Sequence, residues 1–265
     1  MLVVVCSVTG APGVSSTALL LGAVWPRPAV VVEADPSGGV FAARLGLSAD
    51  EPNLASLAAA ARHGLDAATL WAHAQRVGAS TALVCAPLAG PRVAGALALA
   101  AGPLAELAVS AEVDVVIDAG RWYPGSPAAP LIDAGTVSVV VCRPRPDEVF
   151  AVQAAVVAGL GLSGLVVVGD RPHRPAEVAE AAGVPLAGSL FDDSRAARLV
   201  ATGGVSTRGL QRSMLWRTGT GLATALAAAG DRVLGRGIST EPDPSGGPEG
   251  PARAAVPGLA PGATG

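Results

Sequence analysis

The chain has 265 residues, of which 51% are hydrophobic, 15% charged and 3% aromatic, so it can bury one sizeable core of Ala, Val and Leu. Its formal charge of −3 excludes the strongly basic character of a protein that binds nucleic acids or anionic membranes through its overall charge. All 18 basic residues are arginine, so no lysine of this chain can contact an anion.

Six short β-branched runs alternate with alanine-rich segments. Each run is too short and too continuous for an amphipathic helix and predicts a strand covered on both faces. The runs are LVVVCS (2–7), AVVVEA (29–34), TALVCA (81–86), VDVVIDA (113–119), TVSVVVC (136–142) and GLVVVGD (164–170). Helices are predicted at 16–24, 54–62, 67–76, 91–109, 147–159, 175–182, 193–202 and 207–234. This alternation predicts an α/β fold with a doubly wound, mostly parallel sheet and helices on both faces.

The stretch CSVTGAPGVSST (6–17) follows the first strand, where a phosphate-binding loop would begin. The pattern G-x-x-x-x-G-K-[ST] aligns with Gly10 and Thr17, but Ser15 stands for the second glycine and Ser16 for the lysine. Backbone N–H groups at such a turn and at the following helix N-terminus bind anions. The alternative is a plain Gly-Pro turn with Ser15 or Ser16 as a helix cap.

Acidic residues follow two other predicted strands. Glu33 and Asp35 end the second strand, placed two apart so that both carboxylates lie on one side of it, and Asp118 ends the fourth. Because the carboxyl ends of parallel strands meet at one edge of the sheet, these acids are predicted to lie beside the first loop. Asp118 would hold Mg²⁺ there, through water. The alternative is that Asp35 and Asp118 cap the helices that follow them.

The remaining features concern compartment and boundaries. Cys6, Cys85 and Cys142 end apolar runs and are predicted to be buried, reduced cysteines, and no transition-metal site is expected. No secretory signal is visible, and the longest apolar segment, 94–109, contains Gly102-Pro103 and Glu106, so a cytoplasmic protein is predicted. The Pro/Gly-rich composition from residue 238 predicts one domain at 1–237 and a disordered tail at 238–265.

Taken together, these motifs resemble the MinD/ParA family of deviant Walker A P-loop ATPases over nearly all of residues 1–205. The family loop K-G-G-V-G-K-[ST]-T corresponds to APGVSSTA (11–18), and EADPSGG and VVIDAG stand where the family has its acidic strand end and Walker B aspartate. VCRPRPDEVFAVQAA (141–155) resembles a later strand, loop and helix of the family. VPLAGSLFDDSRAARLVATGG (184–204) resembles its late P-x-x-G-x-[IL]-P-x-D segment.

The resemblance implies a site for ATP and Mg²⁺. Thr17 and Asp118 would hold the metal, Asp118 through water, and Asp35 would orient the attacking water. Asp170 would accept a hydrogen bond from the purine amino group, or alternatively would only cap the turn before Pro172. The nucleotide would contact the loop residues Gly10, Ala11, Pro12, Gly13, Val14, Ser15, Ser16 and Thr17.

Two lysines of the family loop are missing. Ala11 and Ser16 occupy their positions, which predicts weaker nucleotide binding and slow or absent hydrolysis. An arginine after a strand could replace the missing charge, and Arg121, Arg143 and Arg145 are the candidates, with solvated loop arginines as the alternative.

The resemblance therefore implies a nucleotide-binding switch that forms a homodimer and positions other machinery. The degenerate loop is similar to that of the TadZ/CpaE type, which implies partners in secretion or pilus assembly. The alternative is an interaction scaffold that binds no nucleotide. An ordinary phosphotransferase is disfavoured, since no lysine or histidine is placed to activate an acceptor. A direct membrane anchor is not expected, and DNA is a less favoured partner, whose basic surface would come from Arg195, Arg198, Arg208, Arg212 and Arg217.

Overall fold

The computed structural model describes residues 1–10, 13–78, 81–110 and 113–235. In this part of the chain eight strands form one sheet. They are β1 (Leu2–Ser7), β2 (Ala29–Glu33), β3 (Gln75–Val77), β4 (Thr81–Val84), β5 (Asp114–Arg121), β6 (Val137–Cys142), β7 (Gly164–Val168) and β8 (Leu186–Leu190). The predicted tail, residues 238–265, lies outside the described residues.

The strand order is β3-β4-β2-β5-β1-β6-β7-β8, and every neighbouring pair is parallel except β3 with β4. The central strands β5, β1 and β6 are built from valine and isoleucine runs with buried residues on both faces, as expected for the middle of a parallel sheet. Because β5 lies between β2 and β1, the carboxyl ends of β2, β5 and β1 adjoin one another. Ligands of open α/β sheets bind at such an edge.

Helices cover both faces of the sheet. They are α1 (Val14–Val24), α2 (Phe41–Leu45), α3 (Leu54–Ala60), α4 (Ala67–Ala72), α5 (Gly90–Val109), α6 (Ala129–Asp133), α7 (Pro146–Val157), α8 (Pro175–Ala182), α9 (Ser194–Ala201), α10 (Arg208–Gln211) and α11 (Met214–Val233). Alternate residues of β1 belong to two separate hydrophobic cores, one under α3 to α8 and one under α1, α2 and α9 to α11. This is the alternation of a strand that is buried on both faces.

The predicted elements are confirmed in type with two corrections. The helix predicted at 67–76 ends at Ala72, and residues 75–77 instead form β3, because pairing with β4 overrides local helix preference. The helix predicted at 207–234 is two helices, since Ser213 caps α11 by accepting a hydrogen bond from the Trp216 N–H. The short helices α2 and α6 and the strands β3 and β8 are additions to the predicted set.

Helix α5 corrects the expectation that Gly102-Pro103 interrupts the apolar segment. It runs unbroken through Pro103 for 20 residues, and among the described helices it is the one with the length and hydropathy of a membrane span. One such helix is weak evidence, because the core helix of a soluble domain has the same properties. Here Leu97, Leu104 and the other apolar residues of one face pack in the core with α3.

Candidate functional site

The turn after β1 leads directly into α1. Gly13 precedes the helix with φ of 107°, a left-handed conformation that favours glycine, and no side chain caps the helix. The first N–H groups of an uncapped helix are free to bind an anion. Gly13 and Val14 form the end of this turn and the first residue of α1, whereas Ala11 and Pro12 lie outside the described residues.

A cleft of about 420 Å³ opens where this turn meets the ends of β2 and β5. Its walls contain the backbone of the turn, hydroxyl groups, one carboxylate and two guanidinium groups. The lining residues are Ser7, Thr9, Gly10, Gly13, Val14, Ser15, Ser16, Asp35, Ser37, Arg44, Gly120 and Arg121. The cleft brings the predicted loop and Asp35 together, as the sequence analysis expected.

Asp118 lies fully buried at the end of β5, beside this cleft. Its Oδ1 accepts a hydrogen bond from the Gly120 N–H at 3.1 Å, while its Oδ2 has no hydrogen-bond partner of normal geometry among the described residues. Burial raises the pKa of Asp118 to about 7, although the Ser15 hydroxyl favours the ionised form, and the charge of Glu33 adds to the increase. A buried carboxylate oxygen without a hydrogen-bond partner fits a cation or a proton, and the role of Asp118 near Mg²⁺ stays a prediction.

Asp35 is held at the rim of the cleft by backbone contacts. Its Oδ1 accepts a hydrogen bond from the Ser37 N–H at 2.8 Å. Gly120 has a φ of 61°, and a Cβ atom there would lie 2.1 Å from Cγ of Asp35, so a glycine is required for the carboxylate to occupy this position. The same strand end therefore positions both acidic groups, Asp118 directly and Asp35 through Gly120.

Glu33 has a different role from Asp35, although the sequence places both carboxylates on one side of the strand. Glu33 is fully buried, and its carboxylate accepts hydrogen bonds from the N–H groups of Val40, Phe41 and Ala86 at 2.6, 2.9 and 2.8 Å. Burial raises the pKa of Glu33, and these three hydrogen bonds oppose the increase. Glu33 thus joins β2 to the start of α2 and to the end of β4, and it lies outside the lining of the cleft.

A second cleft of about 170 Å³ lies on the other side of the start of α1. Gly13 and Ser16 line both clefts, so the two adjoin at this point. Thr17 lines the second cleft and not the first. Arg143 and Asp192 form an ion pair of 2.8 Å at its edge. Asp170 is exposed and lines neither cleft.

The arginines differ in how they meet the two clefts. Of the three predicted candidates, Arg121 lines the larger cleft, Arg143 lines the smaller one, and Arg145 lines neither. Arg44, which is not among these candidates, lines the larger cleft from α2. The sequence pattern indicated the position of Arg44 only weakly, because α2 has only five residues and its start depends on the carboxylate of Glu33.

Comparison with known proteins shows the fold. No family model matches the chain, and no curated protein matches its sequence. Among solved structures, a ParA family ATPase from Chlorobium tepidum TLS has a TM-score of 0.69 at 17% identity, covering 84% of this chain and 98% of its own. MinD from Pyrococcus horikoshii OT3, complexed with Mg-ADP, has a TM-score of 0.64 at 16% identity, covering 85% and 95%.

A variant of McdA from Cyanothece, in complex with ATP, has a TM-score of 0.62 at 17% identity, covering 86% of this chain and 96% of its own. The chain therefore has the MinD/ParA-like P-loop fold, and the predicted α/β architecture with a mostly parallel sheet is confirmed.

Proposed function

We propose that this protein is a nucleotide-binding switch that takes ATP with Mg²⁺ between the turn after β1 and the ends of β2 and β5. The observation that carries the proposal is the meeting of two clefts at Gly13 and Ser16, at the uncapped start of α1. The larger cleft offers N–H groups, hydroxyls and arginines to a polyphosphate, and the smaller one offers apolar and acidic groups to a nucleoside. The structures of similar fold include MinD with Mg-ADP and McdA with ATP.

Magnesium fits the acidic edge of the larger cleft. Asp118 has a buried oxygen without a hydrogen-bond partner, and Asp35 lies close enough to raise the pKa of Asp118 further. Mg²⁺ binds one or two carboxylates together with substrate phosphates and keeps several waters, which suits this pair. The metal would neutralise phosphate charge, and Asp118 would hold it through water.

Hydrolysis is proposed to be slow, so that nucleotide occupancy rather than turnover sets the state of the protein. Ser16 lies where a lysine would stabilise the transferring phosphoryl group, and cations in that role accelerate phosphoryl transfer by about 10³–10⁵. Rim arginines that bound the phosphates of the substrate and of the transition state equally well would lower KM without raising kcat. Asp35 would orient water without that assistance.

The proposed switch would act on partner proteins. We place the protein in the cytoplasm as a homodimer that positions secretion or pilus-assembly machinery of the Tad type, which the degenerate loop supports. The five arginines of the later helices, proposed as a DNA surface, support DNA less well, because the formal charge of the chain is −3. A strain without this protein would lose surface pili or mislocalise their assembly proteins, and normal piliation would contradict the assignment.

Calorimetric titration with ATP, with and without Mg²⁺, tests the function. We expect micromolar, Mg²⁺-dependent binding that Thr17→Ala and Asp118→Asn each weaken, roughly tenfold or more, because each removes a polar contact at the site. Thr224→Ala is the matched control, since Thr224 lies exposed on α11 and its hydroxyl bonds only within that helix. Light scattering of the same samples would report an ATP-dependent dimer.

A scaffold without nucleotide is the second candidate. The observation in its favour is a groove of about 430 Å³ between α7 and α8, where Phe150 is 72% exposed. Large exposed apolar groups are typical of protein interaction sites. Absence of any ATP binding, in a protein that still melts cooperatively, would favour the scaffold over the switch.

Steady Mg²⁺-ATP turnover abolished by Asp35→Ala would instead contradict slow hydrolysis.

A further inference from the structure

The larger cleft receives its positive charge from its walls rather than from its loop. Its lining contains no cationic side chain from the described part of the turn after β1, where Ser15 and Ser16 replace glycine and lysine. The cationic groups that do line it are Arg44, on α2, and Arg121, at the end of β5. Arg44 lies on the helix that follows β2, and β2 pairs side by side with β5 in the parallel sheet.

Arg121 is anchored at one end and open at the other. Its Nε donates a hydrogen bond to the carbonyl oxygen of Val8 at 3.2 Å, which fixes the guanidinium against the entrance of the turn. Arg121 is exposed and forms no ion pair with any acid in the described ranges. Its terminal N–H groups are therefore available to an anion in the cleft.

Arg44 is positioned by the buried carboxylate of Glu33. That carboxylate accepts the N–H groups of Val40 and Phe41 and so holds the start of α2, from which Arg44 follows one turn later. Arg44 is exposed and also lacks an ion pair within the described residues. Arg27 and Arg143, by contrast, are each paired with a carboxylate at 2.8 Å.

Independent evidence that the cleft takes a ligand comes from Asp118. This side chain is fully buried, its Oδ2 has no hydrogen-bond partner among the described residues, and it contacts Ser15 in the cleft wall. A buried acidic oxygen without a partner is costly unless a metal or proton completes it. The buried carboxylate beside the cleft thus offers one place for a cation, and the cleft wall offers two guanidinium groups for anions, which complements the charges of a metal-bound polyphosphate.

We propose that Arg44 and Arg121 are the phosphate-binding cations of this protein and replace the missing loop lysine for the β- and γ-phosphates of a bound nucleotide. The inference rests on the proposed function, because it concerns the same cleft. Guanidinium groups bind phosphate oxygens bidentately, whereas an ammonium acts as a point charge. Recognition of the phosphates should therefore not depend on the base, and inorganic tripolyphosphate should bind in the same place.

Titration with Mg²⁺-ATP and with tripolyphosphate tests the proposal. We expect Arg44→Ala and Arg121→Ala each to lower the affinity for both ligands roughly tenfold to a hundredfold, and the double variant to lower it further. Arg62→Ala is the control, because Arg62 is exposed and lines neither cleft. Thermal melting of every variant should remain cooperative and close to that of the wild type. Adding Ser16→Lys to the double variant should restore affinity by returning a cation to the loop.

The outcomes separate the inference from the function. Wild-type binding of Mg²⁺-ATP that both arginine variants retain within about twofold would overturn the inference and leave the nucleotide switch standing. A wild-type protein that binds neither ligand would overturn both. Tripolyphosphate binding that needs the two arginines, without ATP binding, would support the phosphate site and overturn the nucleotide function.

Discussion

Among the described residues near the clefts, Asp118 is the acid whose ionised form is most destabilised by its surroundings. Burial takes its carboxylate out of water, and Glu33 and Asp35 place two further carboxylates nearby. The Gly120 N–H and the Ser15 hydroxyl offset only part of this cost, so the pKa rises to about 7. In the absence of a bound cation the folded protein therefore holds a proton on Asp118 more tightly than the unfolded chain does.

The raised pKa of Asp118 gives the metal-free protein a specific pH dependence. Its ordinary value is 3.8 and its folded value about 7, so the stabilisation is fully present below about pH 4 and is lost as the pH rises through about 7. The loss amounts to at most about 4 kcal/mol. Asp118→Asn removes this pH-dependent contribution to stability. The difference in melting temperature, variant minus wild type, should therefore increase between pH 4 and pH 7 when both proteins are measured with a chelator present.

Asp133→Asn is the control for this measurement. Asp133 is exposed at the end of α6, so its replacement should leave the pH dependence of the wild type in place. Glu33, whose pKa burial also raises, is present in all three proteins and so contributes a common background. Melting temperatures of wild type and Asp118→Asn that change in parallel across this pH range would contradict a raised pKa of the buried Asp118 carboxyl group.

At the scale of elements, the ends of β2 and β4 are joined by one side chain and by close backbone packing. Glu33 accepts three backbone N–H groups, and Gly38 and Gly39 approach the backbone around Ala86 and Leu88 so closely that a Cβ atom at either glycine would lie 2.3 Å from a carbonyl oxygen. This packing holds the turn that carries Asp35 and the helix that carries Arg44. The geometry of the cleft therefore depends on a buried residue that does not line it.

Glu33→Gln should destabilise the protein by about 1–3 kcal/mol, because it leaves a buried donor without an acceptor. The amide oxygen can keep the hydrogen bonds of Val40 and Phe41, which both go to Oε1, but the amide nitrogen then faces the Ala86 N–H. Denaturant unfolding measures the difference. The matched control is Glu177→Gln at the exposed start of α8, where Glu177 accepts the Arg174 N–H, and a change within about 0.5 kcal/mol is expected. Equal effects of the two variants would contradict the role of Glu33.

At the scale of the whole molecule, one sheet separates two hydrophobic cores. β1 contributes alternate residues to both, and α5 and α1 are the largely buried helices on opposite faces. A buried network at the start of the central strands closes this end of the sheet, where Asp114 accepts hydrogen bonds from Trp25 and Arg27 and Arg27 also pairs with Asp231 of α11. The stability of the domain should therefore come from the described residues up to the end of α11.

Removal of residues 238–265 should leave stability and nucleotide affinity unchanged. The segment has too few large apolar residues to offset the entropy of ordering, and the described residues up to Gly235 form two extended hydrophobic cores. The melting temperature of a chain ending at Gly237 should lie within ~1 °C of the full chain, and its ATP affinity within about twofold. A chain ending at Gly221 is the contrasting control, since it lacks Leu222 and Leu226 of the core and should not fold. A clear loss of stability on removing 238–265 alone would contradict the predicted domain boundary.

Local patterns predicted the central strands and most of the helices correctly because those elements follow their own hydrophobic periodicity. The exceptions depend on distant partners. Residues 75–77 become a strand only by pairing with β4, and α2 begins only where Glu33 accepts its first N–H groups. The break at Ser213 follows a capping preference that a continuous helical pattern concealed.

The sequence by itself determined the α/β class, the order of the central strands' motifs and the absence of lysine from the turn after β1, since each is a property of consecutive residues. The tertiary structure decided which side chains share a cleft. It placed Asp35, Arg44 and Arg121 around one cavity, turned Glu33 into the core and left Asp170 outside. The physical reason is that strand order and backbone approach bring together residues far apart in the chain, and no local periodicity encodes those distances.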